Sequence, residues 1–92
     1  MLLDPKLAAV YYNLGVALAD KGHLDEAISC YREALRINPE DAGAHFNLGN
    51  ALAAKGQLDE AVVALVGFIR WAPPEYAEHV EKLKAAIGLK GL

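Results

Sequence analysis

Apolar residues recur along the chain at helical spacing in separate runs. In the first run, Ala8, Tyr11, Leu14 and Leu18 are three or four residues apart, which places them on one face of a helix. The same spacing continues in residues 24–35. Three later runs have the same spacing, at residues 46–54, 58–71 and 76–87. The pattern therefore predicts five helices and no sheet.

The predicted helices are separated by residues that stop a helix. Lys-Gly pairs at Gly22 and Gly56 end the first and third helices, because glycine tolerates the left-handed conformation of a C-terminal cap. Pro39 and Pro73 follow the second and fourth helices, and proline cannot continue the backbone hydrogen bonds. The short Lys-Gly connections predict two antiparallel helix hairpins, followed by a single helix.

The chain repeats itself at a distance of 34 residues. When residues 8–41 are aligned with residues 42–75, 15 of the 34 pairs are identical. We therefore divide the single domain 1–92 into repeat one (8–41), repeat two (42–75) and a C-terminal capping helix (76–92). Residues 1–7 match the end of a repeat, which predicts the tail of a truncated preceding repeat. The alternative is that Asp4-Pro5 simply caps the first helix.

The residues at fixed places in each repeat resemble those of the tetratricopeptide repeat. Repeat one has Leu-Gly-x2-Leu from Leu14, Ala-x3-Tyr-x2-Ala from Ala27, and Pro39. Repeat two has the same spacing, with Leu and Phe in place of the Tyr and the last Ala. The resemblance implies an all-α solenoid of antiparallel helix hairpins in a right-handed superhelical stack. It also implies a non-catalytic protein–protein interaction module, as part of a larger scaffold or adaptor.

In this family the first helix of each repeat lines a concave groove that holds peptide segments. Carried onto this chain, the groove residues are Tyr12, Asn13, Val16, Asp20, Phe46, Asn47 and Asn50. An asparagine carboxamide both donates and accepts hydrogen bonds, which suits a peptide backbone. Alternatively, Asn13 and Asn47 stabilise the helix pairs themselves. Members that clamp a terminal carboxylate use lysine and arginine, where this chain has Tyr12 and Val16, so we expect a hydrophobic or helical ligand.

The two repeats diverge mainly in their second halves. Of the 14 pairs between residues 28–41 and 62–75, only two are identical, and the helix of repeat two has become apolar nearly all round. We expect such a helix to be covered on more than one side. The predicted self-association patch is Val63, Val66, Phe68 and Trp71. Alternatively, Phe68 and Trp71 pack on the C-terminal helix, whose apolar stripe is formed by Val80, Leu83 and Ile87.

Composition and charge bear on which partners and which location to expect. The chain has 17 Ala and 14 Leu among 92 residues, and its formal net charge is −3 with no basic stripe. Because there is no basic stripe, we expect no nucleic-acid or membrane partner. The N-terminus has no signal-peptide pattern and Cys30 is the single cysteine, so we expect a cytoplasmic location. The longest apolar run, residues 61–69, is too short to span a membrane.

Candidate chemistry is sparse. Ser29 and Cys30 lie mid-helix without a neighbouring histidine, and the three histidines fall on different helices. We expect no catalytic residue, no metal site and no cofactor. The leading hypothesis is a module that binds a protein or peptide in its groove. Two alternatives stay open: self-association, as a homodimer or domain-swapped dimer, through helix 58–71 or the groove, and a recruiting segment of an enzyme whose catalytic domain lies elsewhere.

Overall fold

A computed structural model of the chain describes residues 4–88, and every regular element in that range is helical. The elements are α1 (Pro5–Asp20), α2 (Leu24–Ile37), α3 (Ala42–Ala54), α4 (Leu58–Trp71) and α5 (Ala77–Ile87), with a 3-10 turn at Pro74–Tyr76 before α5. The five predicted helices are thus confirmed. Helix α3 begins four residues earlier than predicted, because the Asp41 side chain accepts a hydrogen bond from the Ala44 backbone N–H and caps it.

Each hairpin closes through the same glycine turn. Gly22 and Gly56 have φ angles of +83° and +82°, the left-handed conformation expected at the end of a helix. The residue after each glycine donates its backbone N–H to a carbonyl of the last helical turn, at 2.9 Å in both hairpins. The chain therefore reverses within three residues, and α1 packs along α2 as α3 packs along α4.

Glycine also sets the distance between the paired helices. A Cβ atom added at Gly15 would lie 2.6 Å from the Tyr31 ring, and one at Gly49 would lie 2.8 Å from Leu65. Either Cβ atom would force the facing side chain to shift, so glycine is what allows this close approach.

The core lies where the two hairpins meet. Helix α3 packs on α2, and the largest completely buried side chains, Tyr31 and Leu52, lie at this junction with Ile28 and Leu48. Helices α1 and α3 touch only slightly. Each helix therefore contacts chiefly its neighbours in the sequence, which is the layout of an all-α helical repeat.

The two ends of the stack differ from its middle. At the start, Asp4 accepts a hydrogen bond from the Lys6 backbone N–H at 2.8 Å, and Pro5 occupies the first turn of α1. Residues 4–7 thus form a capped helix start. The tail of a truncated preceding repeat, predicted at residues 1–7, stays a prediction, and residues 1–3 lie outside the described range. At the other end, Gly88 stops α5 with a φ angle of +79°. Residues 89–92 of the predicted cap lie outside the described range as well.

Helix α5 is held less tightly than the other helices. It packs against α4 less extensively than α3 packs against α2, and none of its residues is fully buried. Its predicted apolar stripe, Val80, Leu83 and Ile87, is half-buried. The docking of α5 nevertheless brings its first turn beside the ends of α3 and α4, where the main cavity lies.

Candidate functional site

A cavity of about 580 Å³ opens between the two hairpins and the start of α5. Its walls come from Tyr12 of α1, the connection between α2 and α3, the first two turns of α3, the end of α4, and the segment 73–79. The proline-containing connections place these pieces together, because Pro39 and Pro73 end α2 and α4 at the same end of the stack. The cavity is thus a product of both repeats and of the cap.

Aromatic side chains dominate this cavity. Five of the seven Phe, Tyr and Trp residues of the chain line it: Tyr12, Phe46, Phe68, Trp71 and Tyr76. The rings of Phe46 and Phe68 lie 5.0 Å apart between centroids, and the His79 ring meets both of them edge-on. Phe68 is buried, whereas Trp71 and Tyr76 remain 38% and 48% exposed. The floor is therefore packed, and the rim offers aromatic surface to a ligand.

A second cavity of about 250 Å³ continues from the first along the paired first helices. Asn47 lines both cavities, and the second is also lined by Val16, Asp20 and Asn50. Six of the seven predicted groove residues therefore line the two cavities. The seventh, Asn13, is exposed and lines neither.

The two asparagines do not have equivalent surroundings. The Asn47 carboxamide donates a hydrogen bond to the Tyr12 hydroxyl at 3.1 Å, which links repeat two to repeat one. The Tyr12 ring in turn meets Tyr31 edge-on, 6.2 Å away. Asn47 thus contributes to helix packing, and its amide oxygen is left to accept a further hydrogen bond. Burial raises the pKa of the neighbouring Tyr31 phenol, so that hydroxyl remains a neutral group at the edge of the second cavity.

The predicted self-association patch is divided between two surfaces. Phe68 and Trp71 line the main cavity, whereas Val63 is 73% exposed beside a different cavity, between α2, α3 and α4. Val66 is half-buried. The reason is the helical period, since residues five apart, such as Val63 and Phe68, lie about 140° apart around the axis.

Two carboxylates at the cavity were not among the predicted site residues. Glu40 and Asp41 both line it, and its lining contains no lysine or arginine. Sequence reasoning could have found Asp41, which precedes an apolar helical run as a capping residue does. Tyr76 and His79 were also missed, because their place depends on how α5 docks, and no local pattern shows that.

Within residues 4–88, no cluster of three or more histidine, cysteine or acidic side chains is arranged to hold a metal ion. None of the helices in this part of the chain has the length and apolar character needed to cross a membrane.

Comparison with known proteins identifies the repeats. A family model described as TPR repeat matches residues 17–56, and one described as tetratricopeptide repeat matches residues 42–74. No curated protein matches the chain significantly. Repeats of this type generally mediate protein–protein interaction and are typically non-catalytic. The two models together cover more than half of the sequence, on the same helix hairpins that the structure contains, and the chain belongs to the tetratricopeptide repeat family.

Proposed function

We propose that this chain is a non-catalytic interaction module that holds a segment of a partner protein in the groove formed by the two cavities. The observation that carries the proposal is the aromatic cavity of about 580 Å³. Its volume falls within the range of about 300–1,000 Å³ that is usual for ligand sites. Its exposed rim, Trp71 and Tyr76, is the kind of surface that gains most from being covered by a partner.

The polar groups along the groove support an extended segment. Asn47 lines both cavities, and Asp20 and Asn50 border the smaller one. These side chains can hydrogen-bond to a peptide backbone, while an apolar side chain of the segment enters the main cavity. A free C-terminal carboxylate would find no lysine or arginine among the residues that line either cavity, so an internal segment suits the groove better.

A random peptide library displayed on phage tests this proposal. Trp71 is the only tryptophan and lines the cavity, so its fluorescence reports directly on synthetic peptides made from the selected sequences. We expect Tyr76→Ala to weaken the binding of these peptides at least about tenfold, as loss of an aromatic anchor does. Tyr11→Ala is the matched control, because Tyr11 does not line the cavity. Failure to select any peptide, or equal binding by both variants, would contradict the proposal.

Self-association is the second candidate function, and exposed side chains on α4 favour it. Val63 is 73% exposed and the adjacent Val62 is 37% exposed, whereas Leu58, five residues before Val63, is 63% exposed on another side of α4. A second copy of the chain that covered Val63 and Val62 would remove apolar side chains from water. Mass measured by sedimentation over a broad concentration range tests this. Val63→Glu should lower the average mass, whereas Ser29→Glu, at the equivalent position of repeat one, should not. A wild-type chain that stays monomeric throughout would exclude this candidate.

A further inference from the structure

We propose that the main cavity selects a partner segment carrying a lysine or arginine side chain next to an apolar residue. This inference rests on the peptide-binding function proposed above and names the chemistry of the ligand. It is drawn from two features that lie together in the cavity: partly exposed aromatic rings and carboxylates without a cationic partner.

The aromatic rim suits a cation. Tyr12, Trp71 and Tyr76 line the cavity with rings that are at least partly open to solvent. A lysine or arginine group within about 6 Å of such a ring is attracted by its negative face. The chain itself contains one example, since the Arg70 guanidinium lies 5.4 Å from the centre of the Trp71 ring. Arg70 itself is not among the residues that line the cavity.

The carboxylates in the cavity lack a cationic partner. In the described part of the chain, no lysine, arginine or histidine lies within ion-pair distance of Glu40 or Asp41. Other acidic residues of the stack are paired, such as Glu60 with Arg32 at 2.9 Å and Asp25 with Lys55. Asp41 caps α3 through one oxygen, which leaves the other for a ligand.

The cavity is lined by negatively charged side chains that no lysine or arginine of the lining compensates. Its acidic lining residues are Glu40 and Asp41. A basic side chain therefore gains both from the rings and from the carboxylates, whereas an acidic segment is repelled.

The test uses the peptides selected from the phage library. We expect the selected sequences to contain lysine or arginine beside an apolar residue. Replacing a selected lysine by norleucine, which has the same length without the charge, should weaken binding at least about fivefold by calorimetry. Replacement by glutamate should weaken it further. Addition of salt should reduce the difference between the lysine and norleucine peptides.

Variants of the protein locate the effect. Glu40→Gln and Asp41→Asn should each reduce the preference for lysine over norleucine and leave the norleucine peptide unaffected, since asparagine still caps a helix. Glu26→Gln, an exposed change of the same charge away from the cavity, should leave the preference intact. Selected peptides without basic residues, or equal binding of the lysine and norleucine peptides, would overturn the inference but not the proposed function. Failure of any peptide to be selected would overturn both.

Discussion

Helices α1 and α3 occupy the same place in their repeats but have different surroundings. Leu48 of α3 is 6% exposed, whereas its counterpart Leu14 of α1 is 47% exposed. One turn earlier, Ala44 is completely buried and Val10 is 56% exposed. The difference arises because α2 covers this face of α3, while no described element covers the same face of α1. Burial in the stack is therefore supplied by the preceding hairpin and not by the sequence of the helix alone.

The lysines that follow α1 and α3 also have different surroundings. Lys55, in the turn of repeat two, pairs with Asp25 of repeat one. Lys21 is its counterpart, and among the described residues it has no acidic partner within ion-pair distance. The face of α1 thus presents outward the apolar and basic groups that α3 uses to bind α2.

The largest predicted effect tests this difference in burial. Leu48→Ala should lower the free energy of unfolding by about 2–4 kcal/mol, because it removes methyl groups from a buried site and leaves a cavity. Leu14→Ala should cost less than about 1 kcal/mol, since much of that side chain is already in water. Urea denaturation followed by circular dichroism measures both values. Equal losses would mean that the α1 face is covered in solution, and their dependence on protein concentration would show whether a second copy covers it.

A second prediction concerns Gly67, for which repeat one has Glu33. A Cβ atom at Gly67 would lie 2.4 Å from Nδ1 of His45, whose Nε2 lies 2.9 Å from the Pro39 carbonyl oxygen. Gly67→Ala should therefore destabilise the chain by about 1–2 kcal/mol, despite the better helix propensity of alanine. Glu33→Ala should change stability by less than about 0.5 kcal/mol.

The contact between Gly67 and His45 can be isolated by a double-mutant cycle. In a His45→Ala background, Gly67→Ala should no longer be destabilising, because the ring that it displaces is gone. Thermal unfolding of the four proteins measures the coupling. Additive effects of the two substitutions would contradict steric conflict with the histidine.

The fold could be predicted from the sequence because its determinants are local. The glycines at 22 and 56, the prolines at 39 and 73 and the helical spacing each act within a few residues. The 34-residue period then specifies how the hairpins follow each other. Gly67 shows where this reasoning ends: in the sequence it belongs to an apolar segment, and only the structure reveals that it makes room for a ring on α3.

The candidate site could be predicted only in part. Tyr12, Phe46 and Asn47 were found through the family resemblance, and they line the main cavity. The positions of Tyr76 and His79 at the cavity depend on how α5 docks. That docking depends in turn on how α3 and α4 are arranged. Phe68 was assigned to another surface, because the apolar character of α4 did not reveal which side of the helix faces the groove.

A third, smaller effect is expected where the two repeats are alike. Gly22 and Gly56 have nearly the same φ angle, and the position of an added Cβ atom is open in both. Alanine at either site should therefore cost about 1 kcal/mol through backbone strain alone. Chemical denaturation of Gly22→Ala and Gly56→Ala should give equal losses. Clearly unequal values would show that neighbouring hairpins also influence the turns.

The smallest predicted effect is electrostatic, and it concerns an ion pair that repeat one has and repeat two lacks. Arg36 donates hydrogen bonds to Glu33, which hold the pKa of this exposed carboxyl below its ordinary value. The stabilisation it provides is present above the pKa of the unfolded chain and is lost as the pH falls through the lower pKa of the folded chain. Arg36→Gln should raise the pKa of Glu33 towards its ordinary value, measured by NMR titration, and should weaken this pH dependence. Arg70→Gln is the counterpart in repeat two, where Gly67 leaves no carboxylate at the matching position, so the titration of Glu33 should stay as in the wild-type chain. A change in that titration on Arg70→Gln would mean that the charge acts between repeats and not within one.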